Sequence, residues 1–192
     1  MKLILATTWP RRIEACQKLW IPFIAEGSNV DEHGPDRPTD PIKLTAYLAK
    51  VKAEAVAKSH TEGIVIGFDS VGLFEGKILE KPKTREEAFA RLKSLSGKRY
   101  EYHTWLHLIN LYTHTTLAET VMTEIFMRIL DDNEINFYLD HCDEWYKMHA
   151  HGYSPENYYS MSFIERINGE PGILWIPIST TLALLKKIGY TM

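Results

Sequence analysis

Leu3-Ile4-Leu5-Ala6-Thr7-Thr8-Trp9-Pro10-Arg11-Arg12 carries four apolar residues into two threonines and then into a proline-led basic segment. The apolar run has the length of a short buried strand, and Pro10 suits the first position of a helix, predicted from about Arg11 to Trp20. A strand that feeds directly into a helix start places backbone N–H groups and the positive end of the helix dipole at one point, which favours an anion. Thr7 and Thr8 add hydroxyls there, and Arg11 and Arg12 add guanidiniums able to make bidentate bonds to phosphate. The plainer alternative is a helix start whose arginines lie in solvent.

Working outward, Glu26 to Pro41 is polar and turn-rich, with Gly34, Pro35 and Pro38, and reads as a long loop. Asp40 and Pro41 open a helix to about Ser59, on which Leu44, Tyr47, Leu48, Val51 and Ala55 recur at helical spacing while Lys50, Lys52 and Lys58 decorate other faces. Gly63 to Asp69 is a buried-strand pattern that places Asp69 at a strand end, and Val71 to Leu79, broken at Glu75-Gly76, continues it as a hairpin. Thr84 with Glu87 forms a capping box for a helix to Leu95, ended by Ser96-Gly97. Long strands are predicted over Tyr100–Tyr112 and Thr116–Ile129, and a helix capped by Asp131 or Asp132 runs to about His141. Phe163–Ile167 with Asn168-Gly169 reads as a further hairpin, and the last helix spans Ser179–Lys187. The class is therefore α/β with a mixed sheet, in one domain over residues 1–192 made of two closely packed lobes.

Bulk properties narrow the function. With 22 basic and 25 acidic side chains and a formal net charge of −3, the chain lacks the charge to bind nucleic acid as a polyanion, so phosphate chemistry needs locally placed cations. Cys16 and Cys142 are far apart in sequence and read as free thiols, and the N-terminal apolar run is too short for a secretory leader, so the expected compartment is the cytoplasm. No stretch reaches the ~20 apolar residues of a membrane span. His103, His107, His141, His149 and His151 match no zinc spacing.

Asp69, with Asp31 and Glu32 in the preceding loop, offers hard oxygen ligands for Mg²⁺, which takes one or two carboxylates plus substrate phosphates; each residue alone is as readily a turn or solvated carboxylate. Lys81 is held extended by Pro82, which fixes where its ammonium can project, and Lys52 is either a second phosphate contact or surface charge.

In their order along the chain these segments resemble the Maf family of nucleoside triphosphate pyrophosphatases. The matching segments are Thr7 to Arg12, Asp31-Glu32, Gly67-Phe68-Asp69, Lys81-Pro82, Leu95 to Lys98 with Thr104, Asp131 to Leu139, and Phe163 to Gly169. The resemblance implies an elongated α/β fold, similar to inosine triphosphatases, with a central cleft, and it allows a homodimer. It implies hydrolysis between the α and β phosphates of noncanonical or pyrimidine nucleotides with Mg²⁺ or Mn²⁺, or alternatively Co²⁺. Carried over by residue, Asp69 and Glu32 would hold the metal and Asp69 would orient or deprotonate water. Arg11, Arg12, Lys52 and Lys81 would hold the triphosphate.

The chain also departs from the family. The amide or acid position of a glycine-rich late segment falls on Asn157, one methylene shorter than glutamine, and the last family segment, near Gly172 to Pro177, is one residue short. Trp9, Phe68 and Trp105 stand where the family keeps small residues, and Ser70 replaces Thr or Gln. Trp105 or Trp9 could stack on a base or could simply pack. Two other readings remain open: a catalytically impaired relative that only binds nucleotide or a protein partner, and an RNA- or protein-binding module, of which the missing basic stripe disfavours the RNA form.

Overall fold

The computed structural model describes residues 1–32, 34–35, 37–171 and 176–191. Among them the order is β1 (Leu3–Ala6), α1 (Pro10–Gln17), β2 (Ile24–Glu26), α2 (Pro41–Ala57), β3 (Ile64–Phe74), β4 (Lys77–Ile78), α3 (Arg85–Leu95), β5 (Arg99–Asn110) and β6 (Thr115–Met127). There follow α4 (Asp132–His141), a 3-10 turn (Trp145–Met148), α5 (Tyr158–Met161), β7 (Ile164–Asn168) and α6 (Ile178–Lys187). Seven strands join one mixed sheet in the order β2-β1-β3-β5-β6-β7, with β4 paired to β3. No helix among the described residues is long and apolar enough to cross a membrane.

The chain divides into two compact units: residues 1–70, 103–121 and 175–192, and residues 71–102 and 122–174. In the first, β1 pairs in parallel with both β2 and β3, with Leu3, Ile4 and Leu5 opposite Ile64, Val65 and Ile66. Side chains alternate across a strand, so Ile64, Ile66 and Phe68 enter one apolar cluster with Cys16 of α1 and Leu184, Leu185 and Ile188 at α6, whereas Val65 enters another with Ala53 and Val56 of α2. Helices thus cover the two faces of β1 and β3 separately, as a buried parallel pair requires.

Gly67 sets how closely α2 approaches. A Cβ there would lie 2.1 Å from the Ala49 carbonyl oxygen and 2.9 Å from the Ala53 nitrogen, so helix backbone rests directly on strand backbone. Ala49 and Ala53 are fully buried at that contact.

The second unit has its own core, built from Leu92, Leu95, Tyr100, Ile125, Ile135, Tyr138, Tyr153 and Phe163 among others. Its α4 opens with a complete capping box, in which Asp131 accepts from the Glu134 amide and Glu134 accepts from the Asp131 amide.

Several sequence expectations need correction. β3 continues unbroken to Phe74, so Asp69 lies within a strand rather than at its end: where the β1 pairing stops, β3 still has β5 as its other neighbour, and β4 pairs with its last residues, Leu73 and Phe74. α1 stops at Gln17, and Trp20 adopts a left-handed backbone with φ of 55°. α2 ends at Ala57. Thr84 caps α3, but Glu87 accepts from the Lys83 amide instead of closing the box on Thr84. β7 pairs with β6 in antiparallel fashion; the second arm of the hairpin expected after Asn168-Gly169, and the shortened late segment, fall on a stretch of which residues 172–175 lie outside the described residues. β2, the 3-10 turn and α5 were not anticipated, because each is four residues or fewer and carries no periodic signal.

Candidate active site

Asp69 follows Gly67 by two residues and therefore shares its face of β3. On α2, Ala49, Lys52 and Ala53 share one helical face. The close contact at Gly67 therefore delivers Lys52 to Asp69: Nζ donates to Asp69 Oδ1 at 2.8 Å and lies 2.9 Å from Glu32 Oε1. The expectation that Lys52 decorates an outer face fails here, since its side chain is only 12% exposed and points at the sheet. Glu32 comes from the long loop and stays about half exposed, whereas Asp69 is 16% exposed.

The electrostatics of Asp69 are those of a desolvated carboxylate. Burial raises its proton affinity, and Lys52 and Arg12 pull it back down while Glu32 pushes it up. The net direction is upward, which suits a group that accepts a proton from water.

Arg12 reaches β3 from the other side. Its Nη1 donates to the Phe68 carbonyl at 3.1 Å and its Nη2 to Ser70 Oγ at 3.2 Å, so the two bonds bracket Asp69. Ser70 Oγ is 3.1 Å from Thr104 Oγ1 on β5. Ser70 and Thr104 lie 34 residues apart in sequence, and the fold brings them together. Strand alternation, which sets Ser70 on the face opposite Asp69, was the signal that could have linked Ser70 to Arg12.

At the helix start, Thr7 is buried and its hydroxyl accepts from the Trp9 amide at 3.1 Å, Thr8 is exposed, and α1 begins at Pro10 without a side-chain cap. Arg11 is 2.9 Å from Glu14. Trp9 and Trp105 are half-buried. The structure thus brings together Arg12, Glu32, Lys52 and Asp69 in the first unit, with Thr7, Thr8 and Arg11 at the α1 start of that unit. Lys81 and Asn157 belong to the second unit. There Asn157 is exposed and its Oδ1 accepts from the Tyr159 and Ser160 amides at 2.9 and 3.2 Å, so this oxygen caps α5.

The Maf-like protein family model matches residues 2–188. This chain belongs to the Maf-like family. Among the relatives of this Maf-like chain, a dTTP/UTP pyrophosphatase of Fusobacterium nucleatum is 36% identical, covering 98% of this chain and 96% of that protein, so the similarity spans both proteins nearly end to end. A dTTP/UTP pyrophosphatase of Clostridium perfringens is 34% identical over the whole of both. Among solved structures, the Ham1 protein of Staphylococcus aureus covers 66% of the Maf-like chain and 72% of its own at a TM-score of 0.45 and 16% identity, too distant a likeness to support more.

Proposed function

We propose that this protein hydrolyses nucleoside triphosphates between the α and β phosphates, releasing the monophosphate and pyrophosphate, with dTTP and UTP as the first substrates to test. The observation that carries the reading is the Lys52 ammonium held between Asp69 and Glu32, in a chain whose family relatives are named for that reaction.

In the reaction, a water oxygen forms a bond to the α phosphorus, the bond from that phosphorus to the bridging oxygen of the β phosphate breaks, and pyrophosphate departs. Asp69 orients the water and takes its proton, a role favoured by the upward shift of its proton affinity. Lys52 lies beside that carboxylate and offsets charge building on the phosphates, and Arg11 and Lys81 are the further cations proposed for the triphosphate. Thr7, Thr8 and the amides at the start of α1 are proposed to hold its oxygens.

Among the described residues no three His, Cys, Asp or Glu side chains converge on one point. Asp69 and Glu32 nevertheless fit Mg²⁺ or Mn²⁺, with Co²⁺ as a further candidate, because such a hard cation takes one or two carboxylates and completes its shell with water and phosphate. When bound it would act as a Lewis acid on the phosphate oxygens.

The capping role of Asn157 favours a second reading, a protein that binds nucleotide without turning it over, because the oxygen expected to reach substrate is bonded to its own helix. Pyrophosphate release from dTTP, UTP, the other common triphosphates and modified ones, each with Mg²⁺, Mn²⁺ or Co²⁺, tests both. Turnover of at least one supports hydrolysis; nucleotide binding by calorimetry with no release from any supports the second reading. Quenching of indole fluorescence by nucleotide, lost in Trp9→Ser or Trp105→Gly, would assign base stacking to that residue.

A further inference from the structure

Arg12 sits in a doubly basic segment at a helix start, where phosphate binding is the obvious role, yet its two terminal nitrogens are already engaged with β3. The carbonyl of Phe68 and the hydroxyl of Ser70 accept from Nη1 and Nη2 at 3.1 and 3.2 Å. Arginine only donates, so the Ser70 oxygen accepts there and its proton remains available for Thr104 Oγ1, 3.1 Å away on a fully buried residue. Three elements, α1, β3 and β5, thus meet at the residues on either side of Asp69.

The place of this junction has a topological reason. β1 pairs with β3 only as far as Leu5 opposite Ile66. Beyond it the Phe68 carbonyl is met by Arg12, which the turn after β1 has brought round on α1. Because side chains alternate, Phe68 and Ser70 face away from the side on which Asp69 meets Lys52. The strap therefore acts on Asp69 through the strand backbone rather than through its carboxylate.

We propose that Arg12, Ser70 and Thr104 are positioning residues that fix the β3 backbone around Asp69, so that its carboxylate is held in the geometry that hydrolysis requires. This rests on the pyrophosphatase reading above. A strap of this kind governs the chemical step more than substrate affinity, since displacement of a reacting group by about 1 Å costs on the order of 10²-fold in rate. A phosphate ligand would show the opposite pattern, because losing it weakens substrate binding.

Steady-state kinetics of Ser70→Ala, Thr104→Val, Ser70→Thr and Arg12→Lys on the best substrate of the wild type make the test, with circular dichroism and thermal melts to show that each variant is folded. The expected result is a kcat lower by roughly 10- to 100-fold in Ser70→Ala and Arg12→Lys, a smaller loss in Thr104→Val, and KM within about threefold throughout. Ser70→Thr keeps the hydroxyl and restores kcat. Arg12→Lys keeps the charge but loses the fork that spans two acceptors, so a raised KM at unchanged kcat in that variant would make Arg12 a phosphate ligand and overturn the proposal. Wild-type kcat in Ser70→Ala would also overturn it while leaving the pyrophosphatase reading intact. A wild-type protein inert toward every triphosphate would remove both.

Discussion

At the scale of single residues, Asp69 and His151 illustrate two ways of burying an ionisable group. Asp69 is desolvated but paired, with Lys52 at 2.8 Å. Replacing it with Asn keeps the shape and an acceptor for Lys52 while removing the proton acceptor. Asp69→Asn should therefore lower turnover by roughly 10²–10⁴-fold and leave the chemical-denaturation midpoint close to wild type; retention of a tenth of wild-type rate would take Asp69 out of that role. His151 is buried without such compensation: neither ring nitrogen makes a hydrogen bond of ordinary geometry, and the ring packs among Tyr100, Tyr102, His149 and Tyr153. Burial, then His149, depress its proton affinity well below the usual value, with Arg91 acting in the same direction and the Tyr153 backbone opposing. The unfolded chain then binds a proton that the folded one refuses, so stability is full above the unfolded pKa of about 6.5 and declines as pH falls through it toward the depressed folded value. His151→Phe should flatten that decline by up to about 1.4 kcal/mol per pH unit. Urea melts of both proteins between pH 7 and pH 5 would measure it, and parallel curves would contradict the assignment.

At the scale of elements, the decisive packing is α2 against β3. The helix carries Lys52 and the strand carries Asp69, and only the missing Cβ of Gly67 lets the two backbones approach closely enough to join them. Gly67→Ala would drive a methyl into the Ala49 carbonyl, a contact that backbone cannot relieve by rotating a side chain. The expected cost is roughly 1–3 kcal/mol, accompanied by loss of activity as Lys52 is displaced. A variant with an unchanged melting temperature and normal kinetics would show that α2 does not depend on this approach. The helices and long strands were legible because their signals are local: the Asp40 and Asp131 caps, the Gly97 and Gly189 stops, and alternation along β5 and β6. The strand end assigned to Asp69 was not, because whether a strand continues past its partner on one side depends on its neighbour on the other, here β5, which no local pattern names.

At the scale of the molecule, each compact unit contains one cysteine, Cys16 in the first and Cys142 in the second. Both are buried and free. Burial pushes the Cys16 thiol up to about 11 despite the nearby Arg12, and burial raises Cys142 as well. Neither is much ionised at neutral pH, so both should react slowly with a disulfide reagent in the native protein and rapidly in denaturant. Mass spectrometry of partly labelled protein would report the opening of each unit separately. Rapid native labelling at either site would contradict its burial.

The family-bearing segments, the mixed α/β class and most helix boundaries were determined by sequence alone, since each depends on neighbouring residues or on spacing that no partner alters. Sequence also identified Arg12, Glu32, Lys52 and Asp69 as the charged residues of interest. Their pairing was decided only by the tertiary structure. Lys52 looked like surface charge until α2 settled on Gly67, and the bonds of Arg12 to Phe68 and Ser70 follow from where β1 ends. A periodic pattern tells which face of an element a residue occupies, but the partner it meets depends on how closely two backbones can approach and where a neighbouring strand ends.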